Sequence, residues 1–126
     1  MIKNILLVDD DSDFTDAVKN FLEAANYNVD VENKDEKAIE HIKISKPDLV
    51  LLDVLMTTET SGFEIAEKMN SDDALNEIPV IFLTAYFKRT GFTDKEEEII
   101  KKWQNVKYIL DKPVKPSILL GVIQKL

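Results

Sequence analysis

The chain has 126 residues, 44% hydrophobic and 32% charged, with a formal charge of −8; this length holds one domain with a real core and leaves no room for a second. Such acidity argues against direct nucleic-acid binding. No apolar run approaches the roughly 20 residues of a membrane span, no signal-peptide pattern opens the chain, and without cysteine there is neither disulfide nor thiolate chemistry, so a cytoplasmic protein with no membrane insertion is expected.

Taken in chain order, the first apolar run, Ile5 to Val8, leads straight into Asp9, Asp10 and Asp11. An uninterrupted apolar run of this length reads as a buried strand. The acidic knot behind it is self-repelling and calls for a cation, amide donors or water. Phe14, Ala17, Val18, Phe21, Leu22 and Ala25 then recur at helical spacing, with Ser12 or Asp11 as the N-cap. Tyr27 to Val31 form a second strand, whose end at Glu32 and Asn33 suits an edge away from any site. Ala38, Ile39 and Ile42 mark a second helix before Pro47, with His41 on its surface. Leu49 to Leu52 are a third strand ending at Asp53, and Phe63, Ala66 and Met69 a third helix after Gly62. Val80 to Leu83 are a fourth strand, followed by Thr84. Ile99, Ile100 and Trp103 mark a fourth helix, as core or docking surface, and the run Lys95 to Lys102 reads as its solvated face. Tyr108 to Leu110 form a fifth strand before Lys112. Ile118, Leu119, Val122, Ile123 and Leu126 form a last apolar stripe.

Strands alternating with helices predict a doubly wound α/β fold, a parallel sheet with helices on both faces. Sites in such sheets lie beyond the carboxyl ends of the strands, which selects Asp9, Asp10, Asp53, Thr84 and Lys112. Three converging carboxylates could hold a hard divalent cation, and Mg²⁺ suits them best. A carboxylate can also attack phosphorus to give an acyl phosphate. Lys112 supplies a compact positive charge for phosphoryl oxygens and Thr84 a hydroxyl donor. Asp53 is the natural nucleophile, lying on the central strand between the acidic pair and Thr84.

The segments "LLVDDD", "PDLVLLDVLM", "PVIFLTA" and "YILDKPVKP", in this order and at these separations, resemble the receiver domains of two-component response regulators of the chemotaxis-regulator type. The resemblance covers nearly the whole chain and implies a single receiver domain, 1–126. It implies a three-layer, flavodoxin-like (βα)5 fold with strand order 2-1-3-4-5. By that resemblance Asp53 accepts a phosphoryl group from a sensor histidine kinase, a histidine phosphotransfer protein or a small phosphodonor. Asp10, Asp53 and the backbone carbonyl of Leu55 would bind Mg²⁺, Asp9 helping through water, while Thr84 and Lys112 contact the phosphoryl group. The Lys112–Pro113 peptide would be cis. Output would be protein contact through the fourth helix, fifth strand and fifth helix, with a phosphorylation-dependent dimer among the forms it could take.

Three departures from the family pattern carry expectations of their own. Thr57 follows Met56 where the family commonly has Pro, and Gly62 comes one residue late, so a longer loop is expected there. Ile109 occupies the family's aromatic switch position, with Tyr108 facing the other way. The stretch Ala85 to Val106 is long, which places an extended loop over "YFKRTGFTD". Two other functions compete: a phosphate-independent interaction adaptor on the same fold, and a Mg²⁺-dependent phosphohydrolase. Retention of the full acidic, Thr and Lys set argues against the adaptor. No second general acid beside Asp53 and no cap insertion favour the hydrolase. With no output segment after Leu126, the chain reads as a stand-alone receiver or a piece of a longer protein.

Overall fold

The computed structural model describes residues 1–58, 60–86 and 96–126, the side chains of Glu96 and Glu97 apart. Five strands alternate with five helices among these residues: β1 (Asn4–Val8), α1 (Ser12–Ala24), β2 (Asn28–Glu32), α2 (Asp35–Ser45), β3 (Leu49–Leu52), α3 (Ser61–Asn70), β4 (Val80–Thr84), α4 (Glu96–Lys102), β5 (Val106–Asp111) and α5 (Pro116–Gln124). The sheet is parallel throughout, in the order β2-β1-β3-β4-β5. This is the flavodoxin-like doubly wound fold.

The continuously apolar strands explain the three layers. Side chains alternate across a strand, so Leu6, Val8, Val50, Leu52, Val80 and Phe82 pack on one face with Ala38 and Ile42 of α2, Ile65, Ala66 and Met69 of α3, and Ile99 of α4. Ile5, Leu7, Leu49, Leu51, Ile81 and Leu83 pack on the other with Val18 and Leu22 of α1 and Leu119 and Ile123 of α5. Burial on both faces leaves no position between Ile5 and Val8 of β1, in β3, or between Val80 and Leu83 of β4 for a polar residue, until the carboxyl ends of the strands. The site residues begin there.

Several boundaries differ from the sequence expectation. Of the two expected N-cap candidates Asp11 caps α1, its carboxylate accepting the Phe14 N–H at 3.1 Å. Strand β2 starts at Asn28, and β5 starts two residues early, at Val106, whose N–H is held by the Trp103 carbonyl. Within the last stripe Leu119 and Ile123 are buried and Val122 packs partly buried against the same core, whereas Ile118 faces solvent and Leu126 lies beyond the end of α5 and is exposed. His41 is half-buried and sits 3.1 Å from a Glu32 carboxylate oxygen. Tyr108 and Ile109 pack on opposite sides of the sheet, as their alternation requires. The loop expected over "YFKRTGFTD" falls, Tyr86 apart, outside the described residues.

Candidate functional site

The ladder hydrogen bonds run one residue past the strands, and this brings the candidate residues side by side. The Asp9 N–H donates to the Glu32 carbonyl at 3.1 Å and the Asp53 N–H to the Val8 carbonyl at 3.0 Å. At the other side of the sheet the Lys112 N–H donates to the Thr84 carbonyl at 3.2 Å. Each side chain is therefore held by backbone that the sheet itself orders. The Lys112–Pro113 peptide is cis.

Lys112 closes the site. Its Nζ donates to Asp9 Oδ2 at 2.7 Å and to Asp53 Oδ2 at 3.3 Å. Asp53 Oδ1 accepts the Leu55 N–H at 3.1 Å, and Asp9 Oδ1 accepts the Asp11 N–H at 3.0 Å. Thr84 is fully buried and its Oγ1 accepts the Tyr86 N–H at 3.1 Å. Asp10 is exposed, unlike its neighbour, since adjacent residues at a strand end point apart. Even so, Asp9, Asp10 and Asp53 each bring a carboxylate oxygen within 4.8 Å of the others. The Leu55 carbonyl, expected as a further ligand, belongs to the same loop.

Burial governs the charges. Desolvation pushes Asp9, which is only 1% exposed, from 3.8 up to about 6; the bonds from Lys112 and from the Asp11 N–H pull it back, and the Asp53 charge pushes it further up. For Lys112 desolvation acts downward, but the bond and charge of Asp9, followed by Asp53, outweigh it, and the ammonium is held above its ordinary value. A buried carboxylate still short of positive charge, set among hard oxygen donors, is the environment a divalent cation compensates. The donor set thus fits Mg²⁺.

Asp9 makes the metal-free protein pH-sensitive, with a definite sign. Its folded value lies above the unfolded one, so the native state holds the proton more tightly and stability falls as pH rises from about 4 to about 6. Asp9→Asn removes that slope. In chelator, urea denaturation should show the stability of the variant gaining on wild type between pH 4.5 and pH 7; a gap independent of pH would mean that Asp9 does not titrate there.

Five residues that the sequence reading did not assign to the site contribute to it. Asn33, expected away from the site, donates its Nδ2 to the Asp9 carbonyl at 2.7 Å and lies 3.4 Å from Oγ1 of the buried Thr15. The strand-end logic that selected Asp53 applied to it equally. The ring of Phe14, read as core stripe, lies 4.2 Å from Lys112 Nζ. Gly62, noted only for its position, donates its N–H to the Val54 carbonyl at 3.0 Å and packs directly on the Asp53 backbone. The loop between is tied down by hydroxyls: Thr57 Oγ1 donates to Asp35 at 2.8 Å, and Ser61 Oγ accepts the Thr58 N–H at 2.9 Å. Burial acts to raise Asp35, but its bonds from Ser61 and Thr57 outweigh that and hold it below the usual range.

The family model described as response regulator receiver domain matches residues 5–124. The chain belongs to that family. This receiver carries an acidic cluster that fits the aspartyl-phosphate, Mg²⁺-dependent site of response regulators. It is 33% identical, over its whole length, to the probable transcriptional regulator ycf29 of Porphyra purpurea, of which it covers 57%. Over 68% of its length it is 30% identical to the polar-differentiation response regulator DivK of Brucella anthropi, covering 69% of that protein. The solved CheY-like receiver domain protein of Methanospirillum hungatei superposes with a TM-score of 0.83 at 25% identity, over 99% of this chain and 93% of that one. The receiver spans about half the length of the first curated relatives it matches. Among the described residues no helix is long and apolar enough to cross a membrane.

Proposed function

We propose that residues 1–126 form one receiver domain in which Asp53 is the phosphoacceptor, the donor being the phosphohistidine of a sensor histidine kinase or histidine phosphotransfer protein, or a small acyl phosphate. The observation that carries this reading is the bridging of Asp9 and Asp53 by Lys112 Nζ at the carboxyl ends of β1 and β3. An Asp53 carboxylate oxygen attacks phosphorus, forming the O–P bond of an acyl phosphate, while the bond from phosphorus to the donor breaks and its electron pair leaves with the donor. Lys112 stands where the phosphoryl oxygens arrive, and its ammonium exchanges a carboxylate partner for them. Thr84, buried at the end of the next strand, turns its hydroxyl proton toward the same group. Asp10, Asp53 and the Leu55 carbonyl would hold Mg²⁺, with Asp9 behind them; the ion supplies charge neutralisation on the phosphoryl oxygens.

The phosphorylated state then favours one of two conformations that differ in affinity for a protein partner, through α4, β5 and α5. Intact mass after incubation with acetyl phosphate tests the assignment: a single phosphoryl adduct is expected with Mg²⁺ and none in chelator. Absence of adduct with both small donors and a kinase would leave the phosphate-independent adaptor in its place. Asp10→Ala should weaken Mg²⁺ affinity by tenfold or more, since it removes an exposed carboxylate from the three. Unchanged affinity by titration would move the ion elsewhere.

A further inference from the structure

We propose that Phe14 is a positioning residue for Lys112, its ring face fixing where the ammonium sits in the phosphorylation site. The inference rests on the reading that Lys112 serves the phosphoryl group. A lysine ammonium is a compact charge on a flexible four-carbon stem, and carboxylates on one side do not by themselves define its place. Here a third wall exists: the Phe14 ring centroid lies 4.2 Å from Nζ, within the range at which the negative face of an aromatic ring attracts a cation. The Lys112 side chain is only 20% exposed, so little water competes for that attraction.

The ring is itself placed by the site. Asp9 Oδ1 accepts the Asp11 N–H, Asp11 Oδ1 accepts the Phe14 N–H, the Phe14 ring faces Lys112 Nζ, and Nζ donates to Asp9 Oδ2. The four residues form a closed circuit. The capping bond that starts α1 therefore also aims an aromatic face at the lysine, and the carboxylate at one end of the circuit grips the ammonium at the other. Phe14 is partly buried and packs against the core on the α1 side of the sheet. A purely packing role would require only an apolar side chain of similar size, and Leu would serve. The positioning role requires a π face, which Leu lacks and Tyr or Trp retains.

The test uses the full chain. In metal-free protein without phosphodonor, the Lys112 Hε resonances of wild type should be shifted upfield by the ring, keep that shift in Phe14→Tyr and Phe14→Trp, and lose it in Phe14→Leu. With Mg²⁺ and acetyl phosphate, Phe14→Leu should slow phosphorylation by about three- to tenfold, and Phe14→Tyr should restore most of the rate. In a Lys112→Met background Phe14→Leu should have no further effect, because the group it positions is gone. Thermal melts of each variant confirm that all are folded. Unshifted Hε resonances in wild type, or an equal Phe14→Leu effect with and without Lys112, would overturn the proposal while leaving the role of Lys112 intact. A Lys112→Met variant that is phosphorylated at the wild-type rate would instead bring down the underlying reading, and this proposal with it.

Discussion

Asp53→Asn is expected to take up no phosphoryl group under conditions that label wild type, and to keep the wild-type fold. The amide is no nucleophile, yet it retains the shape and the acceptor on which the site depends: Oδ1 still receives the Leu55 N–H, and the main-chain bond to the Val8 carbonyl is untouched. What disappears is one carboxylate of three that lie within 4.8 Å of one another, together with the ion pair between Asp53 and Lys112, at 3.3 Å. These changes oppose each other. Relief of like-charge repulsion offsets the lost ion pair, so stability should move by no more than about 1 kcal/mol. Intact mass reads the first half of the prediction and circular dichroism with urea denaturation the second. An adduct of wild-type stoichiometry on the variant would assign the nucleophile to another carboxylate, Asp9 or Asp10 being the adjacent choices.

Gly62→Ala is expected to damage both stability and phosphorylation, although position 62 carries no chemistry. A Cβ built there would lie 2.2 Å from the Asp53 carbonyl oxygen and 2.6 Å from the Val54 Cα. Both atoms are backbone, so no side chain can rotate away and the α3 terminus or the Asp53 segment must shift. Overpacking of this kind costs about 1–3 kcal/mol, a drop in Tm of several degrees for a domain of this size. The displaced segment carries the nucleophile, and positioning errors near 1 Å slow reactions strongly. The phosphorylation rate should therefore fall more than tenfold at a temperature where the variant is fully folded. A variant with wild-type Tm and rate would mean that α3 can recede from Asp53 without cost. Gly121, where the same construction meets open space, provides the control: Gly121→Ala should hold or raise stability, as Ala is the better helix former.

The contrast between these two glycines shows where sequence reasoning stops. Gly62 lies in the first turn of α3 and Gly121 in the middle of α5, and neither position states what is packed against it. Their difference is a matter of what the rest of the fold places against them. The same holds for Asp9 and Asp10, identical and adjacent, of which one is buried against Lys112 and the other faces solvent. The alternation of the strand end accounts for the outcome once the direction of one side chain is known, but the chain alone does not state which it is. Asn33 was set apart from the site because an edge strand looks remote from it, whereas its side chain crosses to the carbonyl of Asp9, which follows the neighbouring strand.

The architecture was readable because its causes are local and repeated. The uninterrupted apolar runs "ILLV", "DLVLL" and "VIFL" can be satisfied only by burial on both faces, and helical stripes between them supply the two covering layers. Polar residues immediately after such runs fall at one edge of the sheet, which was enough to select Asp9, Asp10, Asp53, Thr84 and Lys112. Distances across that edge have a different origin. Lys112 and Asp9 are 103 residues apart in the chain yet 2.7 Å apart in space, a separation that depends on strand order, parallel register and the packing of α1 against the same end of the sheet. No periodicity encodes such a sum of long-range placements, and with it come the raised Asp9, the ring of Phe14 beneath the ammonium and the glycine pressed against Asp53.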